Sequence, residues 1–356
     1  MDSQKLLPLF PILSLFLFAL LAGPRELQVS ASPLFSNKFS ATKKLFVFGD
    51  SYADTGNVKK SIGNSWKHPY GITFPGKPAG RFSDGRVFTD YIAKFLGLKS
   101  PMALRWERVA PHHLKEGVNF AYGGTGVFDT SIPGPNMTTQ IDSFQNLINR
   151  LLFSATDLHS SIALLSVAGN DYATYADRNG STQGYPALIN AVVNQMTANL
   201  RRIHGLGVRK IAVTSLEPIG CLPMHTALFS YKQCDHIKNH LAGQHNIMLR
   251  TVVDRLNKET NSKSFVYIDL YTNFQQILNG LKAESSKFQA LYKPCCIGVS
   301  REYSCGSIDE NGVKKYFVCD HPEATFFWDS VHPTQEGWNA VYHQLRETNS
   351  LTDILT

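Results

Sequence analysis

The sequence has no Lys/Arg-rich run, no second long apolar stretch after its N-terminus, no internal repeat and no low-complexity linker. The first absence leaves nucleic acid without an electrostatic footprint, because the basic residues are scattered. The second leaves no later segment that could span a bilayer. Cysteine is scarce, 6 in 356 residues, which excludes a miniature disulfide scaffold. No C-x-x-C pair offers a zinc knuckle, no G-x-S-x-G elbow is present, and G-T-G-V-F-D from Gly124 lacks the third glycine of a dinucleotide fingerprint. With 43% hydrophobic and 18% charged residues, the chain is neither disordered nor fibrous. Its length allows one large α/β domain or two smaller ones, each with a substantial core.

What is present starts with compartment. Lys5 precedes an almost wholly apolar run, Leu6 to Ala22, and Val29-Ser30-Ala31 supplies a small-residue cleavage pattern. The expectation is a secretory signal peptide over 1–31, the rival being a retained anchor; Pro11 inside the run favours removal. Residues 32–356 are then expected to be one domain, soluble in an oxidising extracellular or cell-wall space, with no stable membrane insertion. Cys221, Cys234, Cys295, Cys296, Cys305 and Cys319 form an even set suited to disulfides there. Cys221 and Cys234 make the local pair, and the pairing of the other four stays open. Asn136-Met137-Thr138 and Asn179-Gly180-Ser181 are glycosylation sequons at Asn136 and Asn179. The net charge of +7 suits an acidic matrix or anionic headgroups, or serves only as a solubilising surface.

Short apolar runs without polar alternation, Leu45 to Phe48, Ile162 to Ala168, Ile211 to Leu216 and Phe265 to Leu270, predict strands buried on both faces. Between them, Leu188, Val192, Met196, Leu200 and Ile203 recur at spacings of three or four, predicting a helix over 186–204; others are expected near 139–153, 236–258 and 335–347. Strands alternating with helices predict a parallel sheet covered on both sides, with ligands at the carboxyl ends of the strands. The region 52–110, rich in Pro, Gly and aromatics, reads as a long surface excursion.

The turns at those strand ends carry the chemistry. Phe46-Val47-Phe48-Gly49-Asp50-Ser51 delivers a serine to a strand-to-helix junction, a place for a nucleophile or simply for a helix cap. Asp329-Ser330-Val331-His332 sets a carboxylate three residues before a histidine, ahead of a final amphipathic helix that Pro333 would open as its first residue. One turn of chain puts Asp329 within reach of imidazole Nδ1, fixing the tautomer and leaving Nε2 to take a serine proton. His321 also precedes proline, but Val318 stands where the orienting carboxylate should be. Asn170 and the glycines Gly123, Gly124 and Gly126 could supply oxyanion donors, though such turns are often only turns.

Taken together, the blocks GDSYADTGN from Gly49, NFAYGGTG from Asn119, GND from Gly169 and DSVHP from Asp329 resemble the plant GDSL-type esterase/lipase group of the SGNH hydrolases. The segment Pro78 to Val87 and the vicinal cysteines fit the same group. One departure is Tyr52, where the family name implies leucine. The resemblance implies a three-layer α/β/α sandwich with a central parallel sheet, flavodoxin-like, and a shallow, open site. It implies Ser51 as nucleophile and first oxyanion donor, Gly124 and Asn170 as the other donors, Asp329 and His332 as the base pair, and neither metal nor other cofactor. The expected activity is secreted carboxylic-ester hydrolysis through an acyl-enzyme on Ser51. Acyl lipids, small esters or O-acetyl groups of wall polysaccharide are the candidate substrates, and Trp66, Tyr70, Phe74 and Phe82 the candidate aromatic contacts. The alternative is a catalytically silent carbohydrate- or inhibitor-binding protein on the same fold.

Overall fold

The computed structural model describes residues 44–280, 287–289 and 292–356, so the expected signal peptide lies outside the described residues. The predicted apolar runs become strands whose continuous apolarity has a direct cause: every residue of β1 (Leu45–Gly49) is buried. Together with β2 (Met102–Ala103), β3 (Gly117–Asn119), β4 (Ile162–Ser166), β5 (Lys210–Thr214) and β6 (Phe265–Ile268) it forms one sheet in the order β2-β3-β1-β4-β5-β6. Every pairing is parallel.

Successive side chains leave opposite faces of the sheet. On one face Leu45, Val47, Leu164 and Ala212 meet the helices Phe88–Phe95, Leu270–Gly280 and Gln335–Glu347. On the other, Phe46, Phe48, Leu165 and Val213 meet Met137–Asn149, Tyr185–Gly205 and His236–Glu259. This is the expected three-layer α/β/α sandwich. The predicted face of the helix expected over 186–204 holds, with Val192, Met196, Leu200 and Ile203 all buried.

The region 52–110 is not a surface excursion. Its turn residues Tyr52, Ala53 and Asp54 are buried, and Phe88, Ile92 and Ala93 of a helix within it enter the core. Proline and glycine there bend the chain inward, so composition alone misread it. The cysteines form three disulfides, Cys221–Cys234, Cys295–Cys319 and Cys296–Cys305. The last two brace a small antiparallel hairpin, β7 (Cys296–Gly298) and β8 (Tyr316–Val318).

The end of β1 is fixed tightly. Gly49 has φ +142°, and a Cβ there would lie 1.9 Å from the Ser166 carbonyl oxygen of β4. Gln140 grips the same residue twice, accepting from Gly49 N at 2.8 Å and donating to Gly49 O at 2.9 Å. Gly49→Ala therefore forces β1 from β4 and should destabilise the fold by at least about 2 kcal/mol. Urea denaturation measures this, and an unchanged midpoint would remove the close approach as a constraint.

Candidate active site

Strand order reverses at β1: the chain adds β3 on one side and β4 on the other, so the crevice at their carboxyl ends is a topological switch point. Three of the predicted residues follow these three adjacent strands. Ser51 stands two residues beyond β1, Gly124 is in the loop after β3, and Asn170 opens the helix Asn170–Asp177 after β4.

Asp329 and His332 come from the far end of the chain, on a loop that closes on itself. Trp328 N donates to His332 O at 2.7 Å and Thr334 N to Phe326 O at 2.9 Å. Within the loop the Asp329 Oδ1 accepts from Val331 N at 2.9 Å and His332 N at 2.8 Å, an Asx turn that aims the carboxylate at its own histidine. His332 Nδ1 lies 2.8 Å from both carboxylate oxygens, and His332 Nε2 lies 2.8 Å from Ser51 Oγ. The cysteine hairpin steadies the loop from outside, Cys295 N donating to Phe327 O at 2.9 Å. Pro333 does not open the final helix. Thr334 caps it, its hydroxyl accepting from Gly337 N, because Pro333 is held back in an extended bridge with Phe327. The other histidine of the pair, His321, faces Glu323 on the surface instead.

Of the three glycines, Gly123 N is taken by Asp54 Oδ2 at 3.0 Å. Gly126 does not line the cleft, whereas Gly124 does, with φ +83° and no bond on its N–H among the described residues. Ser51 N–H is likewise unpartnered among the described residues. Asn170 sits deeper. Its Nδ2 donates to Thr125 O at 3.0 Å and to Asp50 Oδ2 at 3.2 Å, so both amide hydrogens are engaged.

The site is acidic. Burial pushes the Asp329 carboxyl up, but the charge and hydrogen bond of His332, a bond from Tyr70 and one from Val331 N outweigh it and hold it below the usual range. Burial raises Asp50 to about 7 against N–H bonds from Ala168 and Tyr52, and Asp54 to about 6 against bonds from Asn57, Gly56, Gly123 and Val58. Asp171 takes Val127 N and Phe128 N, both at 2.9 Å, and so shapes the glycine loop.

Several of these residues escaped sequence reasoning. Asp54 and Asp171 lie inside the blocks already singled out, three residues after Ser51 and one after Asn170. Gln140 carries no signal at all; Tyr70, expected as an aromatic contact, is instead buried with its hydroxyl donating to Asp329 Oδ2 at 2.7 Å. Phe82 tilts against the His332 ring at 5.1 Å between centroids.

Above the pair opens a cleft of about 900 Å³, walled by Val58, Ile62, Ile132, Pro133, Met224 and Leu228, with His332 and Asp329 at its base. Of the sequons, Asn179 is exposed at φ 59°, while Asn136 caps the helix Met137–Asn149, accepting from Thr139 N and donating to Asp129.

The chain is 56% identical over 309 residues to the GDSL esterase/lipase At5g03610 of Arabidopsis thaliana, a match covering 86% of each chain. It is 48% identical over 353 residues to the GDSL esterase/lipase At3g09930 of the same plant, covering 98% of each. The family model described as GDSL-like lipase/acylhydrolase matches residues 45–345. With a match spanning the sheet, the serine turn and the Asp-His loop, the chain belongs to the GDSL-like lipase/acylhydrolase family and is a hydrolase of ester bonds.

Proposed function

We propose that the protein hydrolyses carboxylic esters with an apolar acyl group through an acyl-enzyme on Ser51. The observation that carries this is the unbroken relay from Ser51 Oγ through His332 to Asp329, each link 2.8 Å, at the base of an apolar cleft. His332 Nε2 takes the serine proton as Oγ attacks the ester carbonyl, then returns it to the leaving alcohol. Water repeats the sequence and frees the acid. Asp329 holds the tautomer and stabilises the imidazolium. The free N–H groups of Ser51 and Gly124 receive the oxyanion, and Asn170 joins them by releasing its longer bond, to Asp50. Tyr70 holds the second oxygen of Asp329 in place.

The cleft favours an aliphatic acyl chain over a sugar. Trp66 is covered by Lys60 and Arg105 at 5.0 and 5.1 Å, and Phe74 by Arg86 at 3.8 Å, so neither ring offers a stacking face. Tyr70 is buried, while Ile62, Ile132, Met224 and Leu228 stand exposed at the rim. The catalytically silent alternative has little to recommend it when every position of the relay is filled. Three disulfides suit delivery of a single domain, 32–356, to an oxidising extracellular space after removal of 1–31. Among the described residues no helix is long and apolar enough to cross a membrane. Glycosylation at Asn179, and at Asn136 with loss of one cap contact, belongs to the same proposal.

Three outcomes follow for purified protein and p-nitrophenyl esters. Ser51→Ala should lose at least about 10⁴-fold in kcat with the fold intact; retained turnover would exclude Ser51. Because each buried methylene contributes about 0.8 kcal/mol, kcat/KM should rise at least about tenfold from acetate to octanoate, and Leu228→Asp should flatten the rise. A steady preference for acetate or for acetylated xylan would overturn the acyl-chain reading. Tyr70→Phe, which removes a buried bond to a charged group, should cost about tenfold or more in kcat/KM, and wild-type kinetics would dismiss it.

A further inference from the structure

Tyr52 stands where the family name implies leucine, and the mechanism above makes no use of it. Its side chain is 1% exposed and packs edge-on against Trp338 at 5.0 Å and His332 at 5.9 Å. Its hydroxyl donates to the Val331 carbonyl at 3.0 Å, across 279 positions of sequence. Consecutive residues thus hold one loop at two points: Ser51 Oγ at the imidazole, Tyr52 Oη at the peptide just before it. Leucine in that position has no hydrogen to give.

A second observation lies behind the phenol. Glu217, just beyond β5, is fully buried with both carboxyl oxygens lacking a hydrogen-bond partner within the described residues. It faces Tyr52 and, from the turn after β1, Asp50; Asp329, from the loop, faces Tyr52 as well. Burial and the Asp50 charge disfavour a carboxylate there and outweigh the Tyr52 hydroxyl and the residue's own N–H, which favour it. A neutral acid resolves the difficulty, since its O–H can donate to Tyr52 Oη while the phenol donates onward to Val331. The phenol has a single hydrogen. Once Glu217 ionises, it competes with Val331 for that hydrogen, and the loop loses its tie.

We propose that Tyr52 is a positioning residue whose hydroxyl, backed by Glu217 and donating to Val331, ties the turn that carries Ser51 to the loop that carries His332. The proposal rests on the Ser51–His332–Asp329 reading and adds a constraint to it. Burial, with the Asp50 charge behind it, pushes the Glu217 carboxyl up to about 8 against its own backbone N–H and the Tyr52 contact. The folded protein therefore keeps a proton that the unfolded chain releases near 4.5. Stability falls as pH rises between those values and changes no further on this account above them.

The test compares wild type, Tyr52→Phe, Tyr52→Leu and Glu217→Gln with a short p-nitrophenyl ester. Both Tyr52 variants should lose about tenfold or more in kcat with KM within about twofold, since a loosened loop misplaces the base without touching the substrate. In wild type, kcat should drop from about pH 7 to about pH 9 as Glu217 ionises; Glu217→Gln, whose amide donates at every pH, should remove most of that drop and flatten the fall of melting temperature above about pH 5. A folded Tyr52→Phe with wild-type kcat overturns the proposal. If Tyr52→Phe fails to fold, a Glu217→Gln protein with the wild-type alkaline drop and melting slope overturns it equally. A Ser51→Ala protein that still turns over the ester would instead strike the hydrolase reading, so the two failures are distinguishable.

Discussion

The arrangement depends on one hydrogen bond, 2.8 Å from Ser51 Oγ to His332 Nε2, between residues 281 positions apart. Neither partner is chemically special alone. A serine hydroxyl is a weak nucleophile, and an unoriented imidazole is only a weak base. The bond becomes useful because both ends are immobilised by different parts of the fold. The serine end is set by the Gly49–Ser166 pairing and the two-point grip of Gln140 on Gly49. The histidine end is set by the Asx turn at Asp329, the Phe327–Pro333 bridge and the hairpin braced by Cys295–Cys319 and Cys296–Cys305.

The polar interior beneath the cleft follows one rule. Two of its buried carboxylates are satisfied by backbone N–H groups in place of cations: Asp54 by four amides, from Gly56, Asn57, Val58 and Gly123, and Asp171 by Val127 and Phe128. Each such carboxylate ties one loop at the sheet's end to another, which fixes the N–H groups left over. Gly123 N is committed to Asp54, while Gly124 N has no partner among the described residues. Glu217 departs from this rule, since neither of its carboxyl oxygens has a hydrogen-bond partner among the described residues.

Much of this was legible in the residues. Continuous apolar runs marked β1, β4, β5 and β6 because strands covered on both faces need no alternation. The three-residue spacing from Asp329 to His332 announced its own geometry, since one turn of chain allows few others. The short strands β2 and β3 were not legible: two or three residues carry no period, and their pairing, β3 with β1 and β2 with β3, is set by the sheet. The 52–110 region was misread because Pro and Gly mark bends without saying whether the bend faces solvent or core. Pro333 fitted a helix start locally, yet the bridge to Phe327, a tertiary contact, moved the cap to Thr334. Tyr70 reaches Asp329 across 259 positions, and no local pattern encodes such a contact.

The most direct measurement is covalent. Incubating the full chain with a fluorophosphonate ester and mapping the adduct by peptide mass spectrometry asks whether Ser51 Oγ is activated, whatever the natural ester. The account predicts a single adduct, on Ser51. An unmodified protein, or label on another serine with Ser51 untouched, contradicts it.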